Sequence, residues 1–206
     1  MEVRDLVRAL SAKIASSGAV LSAEAIGNAV YGLQGLSSKY VEVRSLVRVL
    51  SGKIASSGAV LNVQEMGNAV YGLQCLSSEY REVRDLVRAL SAKIASSEAV
   101  MNAKHIGNAV YGLRCLSSEY VEVRELVRVL SAKIASSEAV FDAQAIGNAV
   151  YGLQGLSSEY GVVRELVRVL SAKIASSEAV LNAQAIGNAV YGLRDLSSKY
   201  VEIRKH

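Results

Sequence analysis

The sequence predicts an all-α fold, an α-solenoid of five tandem two-helix repeats in a right-handed superhelical stack, and three observations carry that prediction. The first is self-similarity at a fixed period: "EVRDLVRAL" at Glu2 returns as "EVRSLVRVL" at Glu42, "EVRDLVRAL" at Glu82, "EVRELVRVL" at Glu122 and "VVRELVRVL" at Val162. The second is the strength of the repetition, since 25 of the 40 positions are identical in all five units. A period of this length marks units that bury their apolar faces against each other. The third is composition: the chain contains no Pro and no Trp, and a single Phe. Nothing in it interrupts a helix or reads as disorder. The units are 1–40, 41–80, 81–120, 121–160 and 161–200 of one repeat domain, and 201–206 opens a sixth helix that stops after barely one turn.

The first segment of each unit, helix A, places Val3, Leu6, Val7, Leu10 and Ile14 at spacings of three and four, one face of an α-helix. Ser37 or Ser38 is the expected cap for the next copy, and the "SSG" or "SSE" near residue 16 is expected to loosen its far end.

The second segment, helix B, follows Ser22, Asn62, Asn102, Asp142 or Asn182, every one a strong N-cap type. The residue before that cap is always apolar, and the fourth helical residue is Ile or Met, as a hydrophobic staple requires. Helix B is expected to bury Ile26, Ala29, Val30, Leu33 and Leu36. Gly27 and Gly32 fall inside this segment, each costing roughly 1 kcal/mol of helix propensity against Ala. Tolerating that cost predicts close helix contact, and makes helix B the inner, concave-side helix.

At about 100° per residue, positions 24, 28, 31 and 35 form a stripe opposite the apolar face. Through the five units it reads Glu24, Asn28, Tyr31, Gly35; Gln64, Asn68, Tyr71, Cys75; Lys104, Asn108, Tyr111, Cys115; Gln144, Asn148, Tyr151, Gly155; and Gln184, Asn188, Tyr191, Asp195. Stacked roughly 8–10 Å apart, these would give an Asn ladder beside a Tyr ladder. Aromatic faces stack on unpaired bases, and Asn, Gln, Lys or Glu can hydrogen-bond base edges, as in helical repeats that read one base each. Equally, Tyr can pack on the adjacent helix, Asn can bridge neighbouring backbones, and the varied flanks can signify only solvent exposure.

The phrase "IGNAVYGLQGL" beginning at Ile26 resembles the Leu-Ala-Asn-Thr-Leu-Trp-Ala-Leu-Ala-Lys-Leu core of the octotricopeptide repeats, a family of helical hairpins. Asn28 matches the family's Asn, Tyr31 its Trp, and "AQ" at 143–144 and 183–184 takes the place of its usual Pro-Gln. The likeness runs through all five units and departs in the longer period, the Tyr for Trp and the missing Pro. It implies an organellar type of RNA binding.

Helix A carries two Arg per unit: Arg4 and Arg8, Arg44 and Arg48, Arg84 and Arg88, Arg124 and Arg128, Arg164 and Arg168. Stacked, they are a candidate ribbon for phosphates. Against this, Asp5, Asp85, Glu125 and Glu165 stand three residues before the second Arg of their units, suited to local ion pairs, and the net charge is only +4.

No catalysis is expected. The one internal His, His105, lies ten residues from Cys115 along the helix, and Ser37 and Ser38 have no general base beside them. No metal and no cofactor is expected either: Cys75 and Cys115 hold equivalent places in adjacent units but lack further ligands. Free thiols fit an intracellular protein. No apolar run approaches the ~20 residues of a membrane span, so no membrane segment is expected, nor a secretory leader ahead of the first repeat. The expected function is therefore sequence-selective binding of single-stranded RNA through helix B. The alternatives are a scaffold for a protein or peptide, and an engineered or truncated array without a partner of its own. Exposed apolar ends would also favour end-to-end self-association.

Overall fold

The structure, a computed structural model, describes residues 2–197. The start of the sixth helix expected at 201–206 lies outside the described residues. Within them the chain forms α1 (Glu2–Ser16), α2 (Ala23–Tyr31), α3 (Val41–Ser56), α4 (Val63–Tyr71), α5 (Arg81–Ala95), α6 (Ala103–Tyr111), α7 (Val121–Ala135), α8 (Ala143–Tyr151), α9 (Gly161–Ala175) and α10 (Ala183–Gly192), with no strand. Each odd-numbered helix packs on the next odd-numbered one and each even-numbered helix on the next even-numbered one. The molecule is an α-solenoid of two layers, A and B, advancing one unit every 40 residues.

The apolar periodicity sets this packing. Val43, Leu46, Val47, Leu50 and Ile54 of α3 are buried together with Met66, Ala69, Val70, Leu73 and Leu76 of the following segment, and the pattern recurs through units 3 and 4. The staple residues Leu61, Met101 and Phe141 are buried just before their helices, in the same core as Met66, Ile106 and Ile146. At the first unit the same positions have no preceding neighbour: Val3 is 65 % and Leu6 68 % exposed, where Val83 and Leu86 are fully buried. At the fifth, Ile186, Val190 and Leu193 are exposed where Ile106, Val110 and Leu113 are buried.

Polar bonds repeat with the same period. The hydroxyls of Ser57, Ser97, Ser137 and Ser177 each donate to the carbonyl 36 residues earlier, at Leu21, Leu61, Met101 and Phe141, all at 2.6 Å. The ammonium groups of Lys53, Lys93, Lys133 and Lys173 donate to the carbonyls of Ser17, Ser57, Ser97 and Ser137. These bonds tie every A–B loop to its neighbour.

Three local expectations are corrected. Helix B stops at Tyr31, Tyr71, Tyr111 and Tyr151, so Gly32 and its counterparts are C-caps, apart from Gly192, which ends α10. Beyond them the chain tightens into i→i+3 turns, such as Leu33 N–H to Val30 O at 2.9 Å and Leu36 N–H to Leu33 O at 2.8 Å. Cys115 consequently lies past the end of α6 and shares no helix with His105. Ser37 and Ser38 do not cap helix A, whose N-cap residues are Tyr40, Tyr80, Tyr120 and Tyr160 without side-chain capping bonds. Helix A starts too far beyond the serines for a cap. The Ser37 hydroxyl instead accepts from Lys39 N–H, and the buried Ser38 hydroxyl accepts from Ser77 N–H of the next unit at 2.9 Å.

Candidate binding face

Helix B begins as the sequence requires. Ser22, Asn62, Asn102, Asp142 and Asn182 each accept from the backbone N–H three residues on, and in unit 2 Glu65 returns a bond to the Asn62 N–H, completing a capping box. The glycines then let neighbouring B helices approach: a Cβ on Gly107 would stand 3.0 Å from the Ala145 Cα, and one on Gly147 3.0 Å from the Ala185 Cα. At Gly72, Gly112, Gly152 and Gly192 the preceding unit's Val30, Val70, Val110 or Val150 carbonyl leaves no room for a Cβ at all.

This approach decides what the tyrosines do. Tyr31, Tyr71, Tyr111, Tyr151 and Tyr191 form one continuous column, with ring centroids 5.7, 5.5, 5.3 and 5.4 Å apart and planes within 16–21° of parallel. The ladder is tighter than the 8–10 Å expected of helix spacing, because the rings lean onto each other in offset stacks. Each internal ring therefore has both faces covered by protein. Arg114 and Arg194 further engage the Tyr111 and Tyr191 rings, their Cζ atoms 4.6 and 4.7 Å from the centroids, and donate to the phenol oxygens. Burial pushes the Tyr111 phenol up, so it stays a neutral hydroxyl.

The asparagines behave differently. Asn68, Asn108, Asn148 and Asn188 are half-buried and Asn28 is exposed, yet none of their side-chain amides bonds to another described residue. Beside them Glu24, Gln64, Lys104, Gln144 and Gln184 are exposed, and their side chains too make no hydrogen bond or ion pair among the described residues. Units 3 to 5 close recesses around their members of this row. One of about 290 Å³ is lined by Gln144, Asn148, Asn182, Gln184, Ala185 and Asn188. Another, of about 70 Å³, is lined by Lys104, Asn108, Asp142, Gln144, Ala145 and Asn148. An amide offers both donors and acceptors, so such a row can pair with any partner presenting the two side by side.

The remaining stripe position, 35, is mixed: Gly35 faces open space, whereas Cys75, Cys115 and Asp195 have polar or charged neighbours. Asp195 accepts from Gly155 N–H at 3.0 Å and from Arg194, which together hold its carboxyl below the usual range. Cys75 is half-buried, with Arg114 Nη2 3.7 Å from its sulfur. Cys115 is exposed as a residue, but burial around the sulfur pushes its thiol up against the opposing pull of Arg114. Among the described residues no group of three or more His, Cys, Asp or Glu side chains is placed to hold a metal.

The helix A arginines are engaged on the other layer. Arg44, Arg84, Arg124 and Arg164 each donate to two carbonyls of the preceding turn, as Arg44 does to Ser38 and Lys39 at 2.9 and 2.8 Å. Arg4, Arg44, Arg84 and Arg124 also lie over the rings of Tyr40, Tyr80, Tyr120 and Tyr160, 4.7–5.2 Å from the centroids. Sequence reasoning missed this second Tyr–Arg column, although the invariance of positions 4 and 40 was its signal. The second arginines form the expected local pairs, Arg8–Asp5, Arg88–Asp85, Arg128–Glu125 and Arg168–Glu165. Two of them also reach across units, Arg8 to Glu42 at 2.7 Å and Arg88 to Glu122 at 2.6 Å, and Arg48, whose unit has Ser45 in place of the acid, reaches Glu82 at 2.6 Å. The Glu42 carboxyl, bonded to its own backbone N–H and to Arg8, titrates below the usual range.

No family model, curated protein or solved structure matches the chain. The geometry is therefore the ground for a functional reading. No helix among the described residues is long and apolar enough to cross a membrane.

Proposed function

We propose that this solenoid is an intracellular, non-catalytic binding module of octotricopeptide-like design that takes single-stranded RNA along layer B and reads base edges with side-chain amides. One observation carries the reading: the side-chain amide of an invariant Asn, half-buried in units 2 to 5, bonds in every unit to no other described residue, next to a residue that changes from unit to unit. Asn and Gln amides pair bidentately with base edges, and helical repeats that take one base per unit use two or three side chains to do so. The tyrosine column serves as the rigid spine that spaces those amides, rather than as the stacking platform expected from the sequence.

A second reading is favoured by the engagement of the arginines. With the helix A guanidinium groups tied to carbonyls, rings and carboxylates, few cations remain for phosphates, and an extended peptide would present N–H and C=O groups suited to the same amides. Binding of a labelled random single-stranded RNA pool at low salt, compared with a random peptide pool, separates the two. The RNA reading expects saturable RNA binding that weakens by about tenfold or more in Asn68→Ala/Asn108→Ala/Asn148→Ala, with helicity retained. Peptide binding with no RNA binding by the parent would transfer the face to the second reading.

A further inference from the structure

Within layer B the side chains lining the recesses are not equivalent. The Asn of position 28 is the same in each unit, so it cannot make one unit differ from another. Position 22 is spent on the backbone: Asp142 accepts from Ala145 N–H at 2.7 Å and Asn182 from Ala185 N–H at 2.8 Å. Position 25 is alanine in three units; Glu65 is held in its capping box, and His105 lies against Gly67, where a Cβ would stand 3.0 Å from its ring. That leaves position 24, whose Lys104, Gln144 and Gln184 line the recesses and whose Glu24 and Gln64 hold the equivalent exposed place, as the one that both varies and makes no side-chain bond among the described residues.

Resting on the RNA reading above, we infer that residue 24 selects the base in each unit, so that Glu24, Gln64, Lys104, Gln144 and Gln184 take C, A, G, A and A in chain order. The assignment follows from hydrogen-bond inventories. A carboxylate only accepts, and on the major-groove edge cytosine offers the N4 amino group alone, whereas adenine sets the N7 acceptor beside its N6 donor and guanine presents only acceptors. A primary amide donates and accepts together, matching adenine N6 and N7. An ammonium only donates, matching the paired acceptors O6 and N7 of guanine. The Asn of each unit supplies a second, constant bond, so the code is carried by one variable side chain per unit.

The test uses three RNAs of equal length: a uridine tract, the same tract with C-A-G-A-A at its centre, and the same tract with A-A-G-A-C. The two ordered sequences cover both strand polarities. The parent should bind one of them about tenfold or more tighter than the uridine tract, the discrimination a single good bidentate pair provides. Lys104→Gln places in unit 3 the residue that units 2, 4 and 5 already carry, so the fold is preserved and circular dichroism should be unchanged. In that variant the preference at the central base should pass from G to A, with the ratio of the two affinities changing by about tenfold or more. Equal binding of all three RNAs overturns the inference and leaves the RNA reading standing. So does an ordered preference in which Lys104→Gln leaves the G-to-A ratio unmoved. An absence of RNA binding at low salt overturns both.

Discussion

Gly72 lies directly against the carbonyl of Val30, one unit earlier, with no space for a Cβ between them, whereas Gly32 of the first unit meets only its own helix's carbonyls, at 3.4 and 3.5 Å. The same substitution should therefore have opposite signs at equivalent positions. Gly112→Ala, which faces the Val70 carbonyl, should destabilise by about 1–3 kcal/mol through overpacking. Gly32→Ala, at a residue with φ −62° and ψ −16°, should be neutral or stabilising by up to about 1 kcal/mol. Urea unfolding of the two variants reads the difference, and equal effects would show that the close approach is not what fixes glycine there.

The tyrosine column makes a second stability prediction. Tyr111→Ala removes two stacked pairs and should cost about 1–3 kcal/mol, each pair contributing about 0.5–1.5 kcal/mol beyond area burial. Tyr31→Ala removes one pair and should cost about half as much. Thermal unfolding followed at the helical signal checks the ranking. Equal midpoints for Tyr111→Ala and the parent would show that the column adds nothing.

His105 predicts a pH dependence. Burial first, and the Lys104 charge second, lower its folded-state titration, and its buried Nδ1 has no hydrogen-bond partner among the described residues. The folded chain thus holds His105 neutral at pH values where the unfolded chain protonates it, below about 6.5. The unfolded state then binds more protons, so this residue's contribution to stability is lost as pH falls through that region. His105→Ala, the residue found at this place in units 1, 4 and 5, should lose less stability than the parent between neutral pH and pH about 5. Identical acid-side losses in the two proteins would count against this account.

The register of layer B can be checked through its thiols. Asp195 reaches the Gly155 backbone from the equivalent place one unit on, so Cys75 and Cys115, at the same register, should be joined within one chain by a short bifunctional thiol reagent. Mass spectrometry of a tryptic digest identifies the bridge. Reaction of both thiols without an intramolecular bridge would contradict the register.

What the sequence disclosed and what it withheld divide along physical lines. Period, helix faces, B-helix caps and the Asp5–Arg8 type of ion pair are local, set by spacing within a unit, and the structure shows each of them. Between units, the helix B glycines announced a close approach, but which side chains it would join was not legible. Tyr31 and Asn28 are both invariant and share one stripe, yet the approach permitted by Gly27 and Gly72 lets the rings stack on one another while the shorter amides bond to no other described residue. The serines show the same division, since Ser38 has a cap's chemistry and spends it on the Ser77 N–H of the next unit.

The central claim, that the unpartnered amides of layer B are the contact surface, is tested most directly by following side-chain NH₂ resonances in ¹H–¹⁵N spectra during titration with single-stranded RNA. The account predicts that the resonances of Asn68, Asn108 and Asn148, assigned by single Asn→Ala variants, shift with saturation, while the ring protons of Tyr71, Tyr111 and Tyr151 stay in place. Shifts confined to the tyrosine rings, with the asparagine amides unmoved, would contradict it.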